Sequence, residues 1–273
     1  MILGIDIGGS TTDIVGFKDK KLAGFMTVEA SDPLTSATGA LGSFINQEAI
    51  GLQDIKRVAI TGVGSSYVKN DLFGLNTIKI PEFEAIGAGG AYLTDQKKVI
   101  IVSMGTGTAI VYFADGEITH LGGTGMGGGT LVGLGRAILN IDDYEEIVRM
   151  AAKGKLHKVD LAVGDISLDD IGDLHQEITA SNFGKLSQNP QPEDYALGII
   201  NMVYQTIGML AAFAAQTKSC QTIVVTGKLA EMKIGQQVLQ KLKEAKLFPI
   251  DFIFPDNAQY STAIGAAISA EKR

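Results

Sequence analysis

An internal repeat is the feature of this sequence that most constrains its fold. In each copy an apolar strand runs into a turn of glycine and hydroxyl residues, and two more strands follow, separated by a polar turn. The first copy contains LGIDIGGSTTDIV at residues 3–15, and the second occupies residues 98–123 with VIIVSMGTGTAIVYF followed by an Asp-Gly turn. Helical patterns alternate with further strands after each copy. We therefore expect an α/β chain of two related lobes with a cleft between them.

Length, charge and composition indicate how the chain is divided and in which compartment it works. We expect an N-terminal lobe at residues 1–95 and a C-terminal lobe at residues 96–273. A net charge of -7 over 273 residues leaves no basic face for nucleic acid. The apolar stretch 195–217 contains Asn201, Gln205 and Gln216, which favours a buried helix over a membrane span. One cysteine and no signal-like N-terminus indicate a cytoplasmic protein.

The first glycine turn has the groups that a phosphate-binding loop requires. Its glycines leave backbone N–H groups open, its hydroxyls can donate hydrogen bonds, and the carboxylate at the strand end suits a hydrated magnesium ion. The residues concerned are Asp6, Gly8, Gly9, Ser10, Thr11 and Thr12. A tight hairpin that needs glycine for conformational reasons alone is the alternative explanation.

The second glycine turn, GTGT, contributes Thr106, Gly107 and Thr108 at the equivalent place in the second copy. A single short turn of this kind is weak support for phosphate binding. Two such turns in matching positions of a repeat are much harder to explain by chance, so we expect them to close on one ligand from opposite walls. The sequence contains no GxxxxGK[ST] motif, which excludes a P-loop protein.

Two further glycine segments could contribute to the same site. The run GGTGMGGGT at residues 122–130 precedes a helical pattern, so we expect a helix N-terminus with open amides there. The run also fits GxGxxG, but a dinucleotide-binding turn should open a βαβ unit, whereas this one follows the third strand of a meander. Gly227 and Lys228 follow an apolar strand, where a nucleotide base or a simple strand-to-helix turn are equally good interpretations.

Candidates for a catalytic base lie at the start of a predicted helix. Glu82 and Glu84 follow Pro81, where acidic side chains also stabilise the helix dipole without any catalytic role. The three histidines, His120, His157 and His175, lack metal-ligand spacing. A zinc enzyme is therefore not indicated.

These residues together resemble the type II pantothenate kinases, a family of the actin, sugar kinase and heat-shock ATPase superfamily. The resemblance covers nearly the whole chain, and the segments that carry it are DIGG, EFEA, MGTGT, LGGTGMGGGTLVGLG, TASNFGKL and AQYSTAIGAA. It implies a two-lobed actin-like ATPase fold made of duplicated ribonuclease H-like units. It also implies a homodimer.

The resemblance implies that ATP and Mg²⁺ bind in the cleft and that pantothenate, or a pantetheine-like alcohol, accepts the phosphoryl group in the first step of coenzyme A synthesis. Glu82 takes the position of the family's base, and His120, Gly122 and Gly123 lie on the substrate side. On the nucleotide side the matching positions are residues 8–15, Thr106, Gly128, Gly129, Thr130, Leu131, Val132, Tyr144, Gly227 and Lys228.

The sequence departs from the family pattern at two positions. Asp13 stands where the family has a lysine that helps neutralise phosphate, and His120 stands where it has an arginine that helps hold the substrate. A reversed charge close to a triphosphate costs a few kcal/mol at an effective dielectric constant of about 20. Lys69 and Arg136 are candidate replacements for the missing lysine.

Two other functions remain open at this point. The first is an ATP-binding relative whose kinase activity is altered or lost. The second is an ATPase that reactivates a partner enzyme, because DIGGSTTDI also resembles the opening of dehydratase activators and diol dehydratase reactivases. The activators bridge a cluster with several cysteines, and Cys220 alone cannot do this, so only a cluster-free version fits.

Overall fold

Two five-stranded sheets form the centre of the computed structural model, which describes residues 1–19, 21–29, 32–169, 176–185, 189–245 and 249–273. His175 lies outside the described residues. The strands are β1 (Ile2–Ile7), β2 (Thr11–Lys18), β3 (Lys21–Glu29), β4 (Arg57–Thr61), β5 (Thr77–Lys79), β6 (Lys98–Met104), β7 (Thr108–Ala114), β8 (Glu117–Thr124), β9 (Leu161–Ala162), β10 (Thr179–Ser181), β11 (Thr222–Thr226) and β12 (Asp251–Ile253). The helices are α1 (Pro33–Gln47), α2 (Glu82–Thr94), α3 (Gly128–Leu134), α4 (Tyr144–Ala151), α5 (Pro192–Thr217), α6 (Lys233–Glu244) and α7 (Ser261–Glu271).

The two sheets have the same topology, as the sequence repeat predicts. The first has the strand order β3-β2-β1-β4-β5, and the second has the order β8-β7-β6-β11-β12. In each sheet the first three strands along the chain form an antiparallel meander, and the last two are added in parallel. Equivalent turns therefore follow β1 and β6, the central strands of the two sheets.

Helices cover both faces of the central strands, which explains why these strands are apolar at nearly every position. In β1, Leu3, Ile5 and Ile7 pack towards α1, whereas Ile2 packs towards α7. Strand β6 follows the same alternation between a cluster that includes α5 and one that includes Ile86 of α2. A strand buried on both faces is held rigidly, so the turn at its end is held rigidly as well.

Helices α2 and α7 cross with their backbones in direct contact. A Cβ atom at Gly265 would lie 1.8 Å from the carbonyl oxygen of Ala85, and one at Gly89 would lie 1.8 Å from that of Ser261. Only glycine fits at such a crossing. The close approach fixes the start of α2, which carries Glu82, relative to the first sheet.

The long helix α5 is a core helix. Among the described residues it is the one helix long and apolar enough to cross a membrane, and 61% of its most apolar 18-residue stretch is buried inside the molecule. Its buried side includes Ile199, Val203 and Ile207, which pack in the cluster beneath the second sheet. Burial of these side chains explains the apolar composition, as the sequence interpretation of this segment expects.

The fold differs from the sequence expectation in three places. After Gly64 the sequence pattern predicts a helix, but the segment forms only the short 3₁₀ turn Val63–Tyr67, because the chain there packs tightly against the end of β1. Helix α6 is an element that the sequence interpretation omitted. The closing helix α7 packs on β1, β2, β4 and α2, so the end of the 96–273 segment lies against the first sheet and not the second.

Candidate active site

The two glycine turns face each other across the space between the sheets. Ser10 Oγ of the first turn lies 3.2 Å from Thr106 Oγ1 of the second, within hydrogen-bond distance. Each turn is closed by its own backbone bond, from the amide of Gly8 to the carbonyl of Thr11 and from the amide of Gly105 to the carbonyl of Gly107. A Cβ atom at Gly9 would lie 3.4 Å from Thr106 Oγ1, so the absence of a side chain keeps the passage between the turns open.

The glycine-rich run supports the second turn more than it faces the cleft. The amides of Gly128 and Gly129 donate to the carbonyls of Gly105 and Thr106, at 2.8 and 2.9 Å. A Cβ atom at Gly127 would lie 2.6 Å from the carbonyl oxygen of Thr106. The expectation of open amides at this helix start is therefore wrong for Gly128 and Gly129, since both already have acceptors within the protein.

Several predicted ligand side chains are turned into the protein. Thr12 is fully buried on the same side of the sheet as Ile7, its cross-strand partner. Thr108 donates its hydroxyl to the carbonyl of Met126, and Thr130 donates to that of Gly125. Leu131 is fully buried in the core. The hydroxyls of Thr108 and Thr130 thus stabilise the loops, whereas the buried hydroxyl of Thr12 has no partner among the described residues.

Three carboxylates that influence one another through their charges lie beside the turns. Asp6, the residue before the last of β1, lies opposite Asp13 on β2, and the two side chains share one face of the sheet because they are cross-strand partners. Burial, followed by the charges of Asp13 and Glu82, raises the pKa of Asp6 from 3.8 to about 8. A cluster of this kind disfavours its own ionisation and is stabilised by a bound cation.

The structure distinguishes the two glutamates at the start of α2. Glu82 is half-buried, burial raises the pKa of its carboxyl, and its charge reaches Asp6. Glu84 instead accepts a 2.8 Å hydrogen bond from Arg273 at the end of the chain. Glu82 is therefore the glutamate that belongs to the carboxylate cluster.

Asp13 is held by partners remote in sequence. Thr27 Oγ1 and Gln259 Nε2 donate to Asp13 Oδ1 at 2.5 and 3.0 Å, and Gln259 also donates to Thr27 at 2.8 Å. Asp13 is 7% exposed. Burial raises the pKa of Asp13, whereas these hydrogen bonds and the charge of Lys228 oppose the increase. The side chain thus ties β2 and β3 to the segment that leads into α7.

Lys228 and Tyr144 lie together on the second lobe, as their predicted shared role requires. The ammonium of Lys228 is 5.3 Å from the centre of the Tyr144 ring. Gly227 has φ +85°, and a Cβ atom there would lie 2.6 Å from the carbonyl oxygen of Met104, directly before the second turn. Arg136, one candidate for the missing lysine, is already paired with Asp142 at 2.6 Å. Lys228 is the cation whose field reaches Asp13.

His120, which is predicted to face the acceptor, forms an aromatic pair with Phe83. His120 stacks on Phe83 with ring centres 3.6 Å apart and an angle of 6° between the planes. The stacking connects β8 to the first turn of α2, the turn that also carries Glu82. A register shift in β8 separates His120 from Gly122, and the pair forms one end of an open cavity of about 960 Å³ between α2 and the β7–β8 hairpin.

The residues present fit a magnesium nucleotide. The described residues contain no group of three or more His, Cys, Asp or Glu side chains that could hold a metal alone. A magnesium ion held by one carboxylate, water and nucleotide phosphates needs no such cage. The carboxylates around Asp6 supply negative charge that such an ion would neutralise, and the buried, unpaired hydroxyl of Thr61 lies beside Asp6.

Comparison with known proteins identifies the family. Residues 94–268 match the model of the Fumble family. A type II pantothenate kinase of Bacillus cereus (strain G9842) is 30% identical, covering 99% of this chain and 98% of the relative. The chain belongs to the type II pantothenate kinase family. Another family member, from Oceanobacillus iheyensis, is 33% identical over 73% of this chain and 78% of its own length.

Solved structures confirm the fold expected of this family. The activator of 2-hydroxyisocaproyl-CoA dehydratase from Clostridium difficile, with bound ADPNP, has a TM-score of 0.71 at 18% identity and covers 99% of this chain and 94% of its own. A ROK family glucokinase from Streptomyces griseus, in complex with glucose and AMPPNP, has a TM-score of 0.63 at 12% identity and covers 100% and 99%. The two-lobed actin-like ATPase fold is thus confirmed; at these identities the likeness shows the fold alone.

Sequence reasoning missed several residues of this site. Thr27, Gln259 and Phe83 act through contacts that no short motif reveals. Thr61 and Gly62 could have been found, because the same Thr-Gly pair recurs at Thr226 and Gly227 after the equivalent strand of the second copy.

Proposed function

We propose that this chain transfers the γ-phosphoryl group of ATP to the primary hydroxyl of pantothenate, the first step of coenzyme A synthesis. The observation that carries the proposal is the approach of the two glycine turns at Ser10 and Thr106, with Asp6 and Glu82 gathered beside them. Relatives named type II pantothenate kinase support pantothenate as the acceptor. Fold neighbours with bound ADPNP and AMPPNP support the nucleotide.

The phosphates would lie between the turns, against the backbone of Gly8, Gly9 and Gly107. Asp6 would hold Mg²⁺ through water, and the ion would neutralise charge on the phosphates. Tyr144, Gly227 and Lys228 would flank the nucleoside end. Lys228, on the second lobe, would provide the positive charge that position 13 lacks on the first lobe.

Glu82 would act as the general base. Burial raises the pKa of its carboxyl, which makes the ionised form a stronger proton acceptor. Its position at the first residue of α2, fixed by the α2–α7 crossing, orients the acceptor hydroxyl for in-line attack. The proton would pass from that hydroxyl to the Glu82 carboxylate as the new O–P bond forms.

The acceptor would bind between His120, Gly122 and Gly123, with the imidazole held flat by Phe83. A pantetheine-like alcohol is the second acceptor that fits the same hydroxyl chemistry. We further propose a homodimer that works in the cytoplasm, as expected from the sequence.

The test is a coupled assay of purified protein with ATP, Mg²⁺ and pantothenate that detects ADP and the phosphorylated product. Glu82→Gln should lower kcat by about 10²–10⁴-fold and leave the affinity for an ATP analogue nearly unchanged. Glu84→Gln is the matched control and should retain activity, because Glu84 is engaged with Arg273. Full transfer activity in Glu82→Gln would refute the base assignment.

Two other results would favour other functions. ADP release that does not depend on pantothenate would favour an ATPase that reactivates a partner enzyme, a reading that the dehydratase activator supports only at the level of fold. Cys220 is buried and donates weakly to the carbonyl of Thr222, so a cluster-bridging version has no support. Nucleotide binding without turnover would favour a relative that has lost kinase activity.

A further inference from the structure

Thr61 and Gly62 lie at the end of β4, directly beside Asp6. Thr61 is the parallel cross-strand partner of Asp6, so the two side chains share one face of the first sheet. Gly62 has φ +83°, and a Cβ atom there would lie 2.2 Å from Asp6 Oδ1. The glycine therefore lets the Asp6 carboxylate lie against the end of β4, close to Thr61.

The hydroxyl of Thr61 has no partner within the protein. Thr61 is fully buried, and no described residue bonds to its Oγ1. Burial of a hydroxyl without a hydrogen bond is unfavourable, and a valine would fill nearly the same space without this penalty. Among the described residues no side chain or amide donates to Asp6 either. The Thr61 hydroxyl and the Asp6 carboxylate are therefore neighbouring polar groups without a hydrogen-bond partner in the described part of the protein.

Thr226 of the second lobe is the equivalent of Thr61 and serves as an internal control. Thr226 is also fully buried with an unpaired hydroxyl, and it is followed by Gly227 with φ +85°. Its cross-strand partner on β6 is Ser103, which occupies the place of Asp6. The repeat thus preserves the Thr-Gly pair, but only the first lobe places a carboxylate beside it. If the pair served the fold alone, both threonines would respond equally to substitution.

We propose that Thr61 is a positioning residue of the magnesium site, whose hydroxyl turns to donate to the Asp6 carboxylate and holds it in place when the hydrated ion binds. The proposal rests on the proposed function, since it assumes a magnesium nucleotide between the turns. Residues behind a metal's direct ligands orient those ligands, and their loss typically lowers metal affinity by about 10–100-fold. Thr61 would act in this way through Asp6 and without touching the acceptor.

The experiment compares wild type, Thr61→Val, Thr61→Ser and Thr226→Val in the full-length protein. Calorimetry measures ADP binding at increasing Mg²⁺ concentration, and urea unfolding without nucleotide measures stability. Thr61→Val should need about tenfold more Mg²⁺ for half-maximal ADP binding. Thr61→Ser keeps the hydroxyl and should match wild type, as should Thr226→Val. Both valine variants should be at least as stable as wild type, because each loses an unpaired buried hydroxyl.

The outcomes separate this inference from the proposed function. An unchanged Mg²⁺ midpoint in Thr61→Val, with a Mg²⁺-dependent wild type, would overturn the role of Thr61 alone. An equal loss in Thr226→Val would overturn it too, by assigning the effect to the fold. A wild type that binds ADP without any dependence on Mg²⁺ would overturn the proposed magnesium site and this inference together. If Thr61→Val does not fold, Thr61→Ala against Thr61→Ser makes the same comparison of hydroxyl present and absent.

Discussion

Replacing Asp6 with asparagine should make the protein more stable and abolish its use of magnesium. The pKa of Asp6 rises from 3.8 to about 8, a difference of about 4.2. At about 1.36 kcal/mol for each pKa unit, full ionisation costs at most about 6 kcal/mol of folding free energy. Water reaches the half-buried carboxylate, so we halve this figure for solvent screening and expect about 3 kcal/mol.

The contribution of Asp6 to folding stability depends on pH in a definite direction. A carboxyl whose pKa is raised in the folded state favours folding in its protonated form, so its contribution is complete below pH 3.8 and is lost as the pH rises through about 8. Wild type should therefore lose stability across this range relative to Asp6→Asn, which cannot ionise. Urea unfolding of both proteins from pH 5 to pH 8.5, without Mg²⁺ or nucleotide, measures the difference.

Two observations would contradict this reasoning. If the stability difference between Asp6→Asn and wild type stays constant from pH 5 to pH 8.5, the carboxylate cluster does not perturb Asp6. If Mg²⁺ with ADP stabilises Asp6→Asn as much as wild type, Asp6 does not hold the ion. Ser103→Ala, at the equivalent position of β6, is the control and should show no added pH dependence.

Two further predictions concern the departures from the family pattern. Asp13→Lys should lower the free energy of unfolding by about 3 kcal/mol or more, because two hydrogen bonds to a charged acceptor are lost. The same change should tighten Mg·ADP binding. Unchanged affinity by calorimetry would mean that Asp13 exerts no field on the phosphates. His120→Arg should lower KM for pantothenate about tenfold through a charged hydrogen bond to the carboxylate. It should leave KM unchanged for an analogue with a neutral amide in place of the carboxylate. Equal effects on both acceptors would place His120 away from the carboxylate end.

The fold could be predicted from sequence because its signal is local and repeated. Each meander shows its strands and turns within about 25 residues, and the second copy confirms the first. The joining of the lobes could not be predicted in the same way. Whether α7 returns to the first sheet depends on the fit of Ala263 against Gly4 of β1, where an added Cβ atom would lie 2.0 Å from the Ala263 carbonyl oxygen, and that contact links residues near opposite ends of the chain.

The residue types of the candidate site could be predicted from the sequence, but the directions in which their side chains point could not. Glu82 and Glu84 occupy one helical turn, and the sequence could not choose between them; the decision depends on Arg273, 189 residues further along the chain. Likewise a hydroxyl in a glycine turn can face a ligand or a carbonyl. Thr108 faces the carbonyl of Met126, and this partner becomes visible only when the glycine-rich run folds back on the second turn.

The structure also explains how an aspartate can occupy position 13. Because Asp13 is the cross-strand partner of Asp6, a lysine there would stand beside that carboxylate and neutralise it. Aspartate instead receives hydrogen bonds from Thr27 and Gln259, so the position joins β3 to the segment before α7. As a consequence, none of the three carboxylates of the first lobe, Asp6, Asp13 and Glu82, has a cation of that lobe as a hydrogen-bond partner among the described residues. Under the proposed function, Lys228 and the nucleotide's own Mg²⁺ would together supply positive charge here, so we expect binding to depend more heavily on the metal ion than at a site with lysine at position 13.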